Sequence, residues 1–172
     1  MESIIRAVRL LSQACGFVAA FLIALGVLVI CDMVIERYLL GLNTIWQTDF
    51  VIYSLIGATF VGSPYVLLTR GHVNVDVLPH YAGPRLRYAL ALFGILLSLA
   101  FALTVTVLAA SYWLEAWQNN WHSDTVWRAR LWIPYAAMPL GLGILSLQYL
   151  VDLFCLLSGR EAPFGGRPGA HG

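Results

Sequence analysis

Four uninterrupted hydrophobic stretches dominate the chain, and charged residues bound each of them. Counted from charge to charge, the stretches cover 10–31, 50–69, 88–114 and 131–151. An α-helix needs about 20 apolar residues to cross roughly 30 Å of hydrocarbon, because it rises about 1.5 Å per residue. A charge at the bilayer centre costs roughly 2.5–3.5 kcal/mol on insertion scales. No stretch contains one, so the pattern predicts four transmembrane helices.

These helices organise the chain as an all-α membrane protein with a single four-helix domain over 1–158. We place the four spans at about 10–35, 47–69, 86–114 and 131–157. The connections between them are too short to build a second, soluble domain. Residues 159–172 are rich in Gly and Pro, and we expect them to form a disordered cytoplasmic tail.

Composition changes the picture mainly by what it excludes. Hydrophobic residues make up 60% of the chain, charged residues make up 11%, and the mean hydropathy is +0.78. A soluble domain carries about 25% charged residues. The net charge of +1 gives no reason to expect nucleic-acid binding, whereas membrane lipids are expected contacts of so apolar a chain.

The arginines predict how the helices are oriented. One side of the predicted bundle holds seven of them, and the other side holds three. The richer side carries Arg6, Arg9, Arg70, Arg85, Arg87, Arg160 and Arg167; the other carries Arg37, Arg128 and Arg130. Because positively charged segments stay in the cytoplasm, both termini are predicted to be cytoplasmic. All six tryptophans then lie at outward-facing span ends, which favours an aromatic membrane-anchoring belt over ligand stacking.

Small residues recur every fourth position in three of the spans. They form the series Gly16, Ala20, Ala24; Ser54, Ala58, Gly62; and Gly94, Ser98, Ala102, Thr106, Ala110. Such ridges let helices approach one another closely. They predict either packing among the four helices or docking against a different membrane protein.

The two connections on either side of the second span carry polar patterns. Before it, Thr44 and Gln47 have the spacing of a helix capping box, and Asp49 falls in the first helical turn, where a negative charge suits the helix dipole. After it, the nine residues from Arg70 to Leu78 include His72 and Asp76. We expect this second connection to form a short interfacial segment between helices 2 and 3.

Several kinds of chemistry lack their usual residues. All four histidines lie outside the spans, which argues against a haem-binding bundle. The chain has no CxxC pair of the kind that a thiol oxidoreductase uses. No nucleotide loop or zinc motif is present. No ionisable residue lies near mid-span, where a proton or ion path normally has one. We therefore predict no cofactor and no enzyme activity, and favour an accessory or scaffold subunit. A membrane-anchor subunit of a redox enzyme complex and an independent small transporter are the alternatives.

Short motifs along most of the chain point to one family. They are Arg37-Tyr38 at the end of the first span, Trp46 and Asp49 opening the second, Gly57-Ala58 within it, Arg70-x-His72-Val73-x-Val75-Asp76 after it, and Trp132-Ile133-Pro134 with Met138-Pro139-Leu140-Gly141 in the fourth. Through these motifs the chain resembles the small membrane subunit of the tripartite ATP-independent periplasmic (TRAP) transporters. That family usually has glutamate at the position of Asp49, often as a Glu-Glu pair, whereas this chain has Gln47-Thr48-Asp49.

The resemblance implies a multi-pass protein of the bacterial inner membrane that pairs with a large multi-span subunit. In such systems the large subunit carries the substrate and sodium sites and moves like an elevator, and a periplasmic substrate-binding protein delivers an organic acid. The small subunit broadens the fixed scaffold. Its implied interface or structural motif residues are Arg37, Trp46, Asp49, Arg70, His72, Asp76 and Pro134.

Two hypotheses about particular residues follow from that role. Arg70, His72 and Asp76 hold their loop against the large subunit or lipid headgroups, or else they form a clasp within the loop. Asp124 and Arg128, on the outward side, lie near the docked binding protein.

Overall fold

The computed structural model describes residues 2–41, 45–69 and 84–158. Five helices occupy most of this part of the chain. They are α1 (Glu2–Leu39), α2 (Trp46–Leu68), α3 (Pro84–Gln118), the single-turn α4 (Trp132–Tyr135) and α5 (Ala137–Leu157). Helices α4 and α5 follow one another directly and together make the fourth membrane span, Trp132–Leu157. The prediction of an all-α chain with four helices long and apolar enough to cross a membrane is confirmed.

Two of the helices are longer than their apolar stretches. Helix α1 has 38 residues and α3 has 35, which correspond to about 57 Å and about 52 Å of helix. Both exceed the roughly 30 Å hydrocarbon layer. They therefore extend beyond the hydrocarbon or cross it at a tilt, whereas the 23 residues of α2 match it more closely.

Helices α2 and α5 form the centre of the bundle. Helix α1 packs mainly against α2 and also touches α5, while α3 packs against α5. Helices α2 and α5 approach each other closely at Gly141, where an added Cβ would overlap the carbonyl group of Phe60. Only glycine fits at this contact, because backbone lies directly against backbone.

The sequence of α2 explains why the carbonyl of Phe60 is available at that contact. Pro64 lies four residues later and has no N–H to donate to it. The hydroxyl of Ser63 donates to the Phe60 oxygen instead, at 2.8 Å. A proline within α2, a serine beside it and a glycine on α5 therefore build the central helix contact together.

The small-residue ridges differ in what they pack against. Ser54, Ala58 and Gly62 of α2 are all buried. On α3, Ala102 is 2% exposed and the Thr106 hydroxyl lies 3.3 Å from that of Ser146 on α5. The packing interpretation is confirmed for these residues.

On α1 the packing interpretation is wrong for Ala20 and Ala24, and docking against another protein stays a prediction for them. Ala20 and Ala24 are exposed, whereas Cys15 and Ala19, one position earlier in the four-residue spacing, are buried. Gly16 does face a neighbour, since a Cβ there would overlap the ring of Tyr65. The sequence did not reveal the true face because apolar residues cover the whole circumference of this helix.

The predicted capping box is also wrong. Helix α2 begins after Ile45, which makes no side-chain cap hydrogen bond. The Gln47 side chain donates instead to Glu36 of α1, through Nε2 and Oε2 at 2.7 Å. Thr44 lies outside the described residues, and so does the segment predicted to be interfacial between the second and third spans.

Candidate functional site at the tryptophan-rich end

One end of the bundle gathers all six tryptophans. It is formed by the end of α1, the start of α2, the end of α3 and the start of α4. The bond from Gln47 to Glu36 ties the first two of these ends together, and Gln47 is 0% exposed. Trp113 donates from Nε1 to the carbonyl of Trp132 at 3.0 Å, which ties α3 to α4. We call this region the tryptophan-rich end.

Several of these aromatic rings pack on one another. The rings of Trp117 and Trp132 meet edge to face, with centroids 4.5 Å apart. Tyr112 contacts both Trp121 and Tyr135, with centroids 5.4 Å apart in each case. Aromatic pairs of this geometry contribute about 0.5–1.5 kcal/mol beyond their buried area. The aromatic residues thus hold the ends of α3 and α4 together in addition to any role at the membrane interface.

The segment that joins α3 to α4, residues 119–131, is the α3–α4 loop, and it folds back on itself. His122 and Arg130 form an antiparallel bridge. Inside it, the Ser123 amide donates to the Ala129 carbonyl at 2.9 Å, and the Arg128 amide donates to the Thr125 carbonyl at 3.0 Å. The loop is therefore a short hairpin whose tip is the turn 125–128.

Helix α2 holds the tip of this loop at two places. The Thr125 hydroxyl donates to the carboxylate of Asp49, in the first turn of α2. One helical turn further on, Tyr53 stacks with Trp127, with ring centroids 6.4 Å apart. Asp49 is only 9% exposed, so most of the surface of this residue lies against protein. The sequence placed Asp49 correctly in the first turn of α2 but gave no sign of its partner, 76 residues away.

The outward-pointing side chains of the tip are left accessible. Asp124 and Arg128 are exposed, and Val126 between them is 82% exposed. Arg128 has φ +47°, a left-handed conformation that is uncommon outside glycine. A charged pair flanking an apolar residue on a fixed turn is an arrangement suited to contacting another protein.

The other residues singled out in the sequence lie apart from this loop. Arg37 is exposed in the last turn of α1, and Trp46 is exposed at the start of α2. Pro134 is half-buried in α4. Arg70, His72 and Asp76 lie outside the described residues.

A second polar cluster, which the sequence motifs did not indicate, lies towards the opposite end of the bundle. Ser12 of α1 donates to Oε1 of Gln148 on α5 at 3.2 Å, and Nε2 of Gln148 donates to Asp152 at 3.0 Å. Ser12 and Gln148 are both buried. A glutamine within an otherwise apolar stretch was the available signal, since a polar side chain in a span normally seeks a partner on a neighbouring helix.

The described residues offer no group of three or more His, Cys, Asp or Glu side chains that could hold a metal ion. They define a small membrane protein with four spans, a closely packed central helix pair and one structured loop held over the tryptophan-rich end. Buried polar residues in it connect helices to one another.

Comparison with known proteins assigns this four-span chain to a family. The family model described as "Tripartite ATP-independent periplasmic transporters, DctQ component" matches residues 26–159. The chain belongs to this family, in agreement with the resemblance seen in its motifs. It is therefore a small permease subunit of a TRAP transporter and a multi-pass protein of the inner membrane. The match selects this assignment over an anchor of a redox complex.

Two curated relatives carry the same name, the C4-dicarboxylate TRAP transporter small permease protein DctQ. The protein from Vibrio cholerae serotype O1 is 26% identical over 165 residues, which cover 84% of this chain and 71% of the relative. The protein from Rhodobacter capsulatus is 24% identical over 123 residues, which cover 72% of this chain and 54% of the relative. No solved structure matches the chain.

Proposed function

We propose that this chain is the static scaffold subunit of a sodium-coupled TRAP transporter that imports a C4-dicarboxylate delivered by a periplasmic binding protein. The carrying observation is the family match over residues 26–159, and the names of the two relatives supply the substrate class. The substrate and sodium sites belong, in this proposal, to the large membrane subunit that pairs with this chain.

The distribution of charge in the spans supports a static role. In the described helices, every Asp, Glu and Arg lies within about two turns of a helix end. Intramembrane ionisable residues normally mark the path of an ion or a charged substrate. A chain whose span centres are uncharged suits a frame on which another subunit moves.

The partner of this frame is expected to cover part of its apolar surface. Helices α1 and α3 expose large side chains over most of their length, including Phe17, Phe21, Phe93 and Phe101. Lipid covers such surfaces as well as protein does, because the hydrophobic effect does not distinguish them inside a bilayer. The proposed pairing therefore requires a direct test.

Reconstitution tests the scaffold proposal. The chain is purified from its native membrane and the co-purifying proteins are identified; a large many-span subunit near one-to-one is expected. Proteoliposomes with both subunits and the binding protein should take up a C4-dicarboxylate only with an inward sodium gradient, and the small chain alone should take up none. Uptake by the small chain alone, or its recovery without a large subunit, would overturn the proposal. Uptake of a different organic acid would overturn only the substrate class.

The binding protein is proposed to dock on the α3–α4 loop, close to Asp124 and Arg128. Cysteines placed at these positions, in a chain whose native cysteines are replaced, should crosslink to the binding protein. Arg85, exposed at the start of α3 and hence at the opposite end of the bundle, is the matched control position. Crosslinks that form from position 85 and not from positions 124 and 128 would contradict the proposal and its orientation.

The motif residues Arg70, His72 and Asp76 are proposed to hold their loop against the large subunit or lipid headgroups. Arg37 and Trp46 are proposed to contribute to the subunit interface from the other end, where both are exposed. Alanine at each position should lower recovery of the large subunit. Unchanged recovery after replacing Arg70, His72 and Asp76 would leave the clasp within the loop as their role.

A further inference from the structure

We infer that Asp49 is a positioning residue for the α3–α4 loop: its carboxylate fixes the loop tip on α2, so that Asp124, Val126 and Arg128 form one preorganised docking surface. This inference rests on the proposed docking of the binding protein to that loop. It gives a role to a buried carboxylate on α2 that is not itself part of the exposed docking surface.

The closed turn at the tip of the loop is the first support. Ser123 and Thr125 are half-buried, and Thr125 contacts α2 through Asp49, whereas Asp124, Val126 and Arg128 are exposed. The Arg128 amide donates to the Thr125 carbonyl and closes the turn 125–128, so the turn that carries Thr125 also carries Val126. Whatever holds Thr125 on α2 therefore also sets the direction of Val126.

The attachment itself has two points on one face of α2. Asp49 and Tyr53 are four residues apart and so lie one above the other on the helix. Asp49 accepts the hydrogen bond from Thr125, and Tyr53 stacks on Trp127. Two contacts separated by one helical turn fix both the position and the orientation of the tip.

The hydroxyl groups form a chain with one direction, which ends on the carboxylate. The Thr125 amide donates to the Ser123 hydroxyl oxygen at 3.3 Å. The two hydroxyl oxygens are 2.9 Å apart, and because Thr125 gives its proton to Asp49, Ser123 must be the donor between them. The hydrogen bond from Thr125 to Asp49 therefore sets the direction of the bond between the two hydroxyl groups.

Preorganisation is what such an arrangement contributes to docking. A loop that already has its bound shape does not pay for ordering its side chains on association. The surface it presents is an apolar tip with a negative group on one side and a positive group on the other. The partner that fits is a protein surface with a shallow apolar depression, a basic group facing Asp124 and an acidic group facing Arg128.

The experiment compares Thr125→Val with Thr125→Ser. Valine keeps the shape of threonine and removes the hydroxyl, whereas serine keeps the hydroxyl. In the complex with the large subunit, amide hydrogen exchange over 119–131 should become about tenfold faster in Thr125→Val, since a hydrogen bond to a charged group is lost. Thr125→Ser should exchange like the wild type. Equal exchange in Thr125→Val and the wild type would overturn the inference.

Transport measurements separate positioning from folding. In proteoliposomes, the binding-protein concentration for half-maximal uptake should rise about three- to tenfold in Thr125→Val. The rise is expected because one or two side chains of the loop must now be ordered when the binding protein docks. The rate at saturating binding protein should stay unchanged, because the large subunit performs the transport step. A lower saturating rate with unchanged half-maximal concentration would overturn the inference.

A second pair of variants approaches the same bond from α2. Asp49→Asn removes the charge, and Asp49→Glu keeps it on a longer side chain; the glutamate variant should recover more of the wild-type exchange protection than the asparagine variant. Asp124→Asn and Arg128→Gln test the docking proposal itself. If these two leave the half-maximal concentration unchanged, the docking surface is wrong. If they raise it and Thr125→Val does not, docking stands and the positioning role of Asp49 is overturned.

Discussion

The central helix pair, α2 and α5, and the two outer helices, α1 and α3, have similar apolar compositions but differ in how much of their surface is buried. At the α2–α5 contact, Gly141 lies against the backbone of Phe60. Ser54, Ala58 and Gly62 of α2 are also buried, and Gly62 faces Ala19 of α1. Helices α1 and α3 expose large apolar side chains along most of their surface. Phe, Leu and Val are common on both, so hydrophobicity does not separate the two regions. Small and polar residues mark the helix faces that contact another helix, on α1 and α3 as well as on α2 and α5, whereas large apolar residues cover the faces that α1 and α3 leave exposed.

Replacing the glycine of the central contact should have the largest effect on stability. In Gly141→Ala the new methyl group meets the Phe60 carbonyl, so α2 and α5 must move apart. Overpacking of this kind costs about 1–3 kcal/mol, and more where backbone opposes backbone. The matched control is Gly94→Ala on α3, where a Cβ has nothing within 4 Å. Thermal unfolding in detergent, followed by tryptophan fluorescence, should show a clear loss only for Gly141→Ala; equal losses would contradict the central contact.

A smaller effect is expected at the polar link between α1 and the centre. Ser12→Ala removes the hydrogen bond to Gln148 and should destabilise the chain by about 0.6–1.7 kcal/mol, the average and the largest values measured for hydrogen bonds between membrane helices. Ser111→Ala is the control, because that hydroxyl is exposed and donates to Leu108 on its own helix. The same unfolding measurement should show almost no change for it. If Ser111→Ala lost as much stability as Ser12→Ala, hydroxyls that link two helices would not differ from those that bond within their own helix.

The contrast between the two regions also marks what the sequence could predict. The four spans were predictable because length and apolar composition are properties of one segment at a time. The packed face of α1 was not, because Ala19 and Ala20 are chemically the same and only neighbouring helices decide that Ala19 is buried. The importance of Gly141 was visible only as part of a family motif, since its contact with Phe60 depends on how α5 crosses α2.

The candidate site was predictable only in part, because local position can be predicted from one segment and contacts between segments cannot. Asp124 and Arg128 were predicted to lie in a loop, and both are exposed; their position on the outer side of the membrane stays a prediction. The bond from Thr125 to Asp49 joins residues 76 positions apart, and no local pattern predicts such a pair. Gln47 was assigned to a local capping box and instead binds Glu36 on another helix. At a helix start, several partners satisfy the same side chain, and tertiary contacts decide among them.

The smallest effect on the stability of the isolated chain is expected for a residue on the exposed face of α3. This variant tests most directly whether the buried and exposed helix faces differ. Phe101 on α3 is 70% exposed, while its neighbour Ala102 is buried against α5. Phe101→Ala should change the stability of the purified chain by less than about 0.5 kcal/mol, because few protein contacts are lost. Recovery of the large subunit is measured with the same variant. If that subunit covers this face, recovery falls while stability does not change; if lipid covers it, neither changes. A loss of stability in the isolated chain would show that α3 uses this face for its own packing, and the division between centre and periphery would then be wrong.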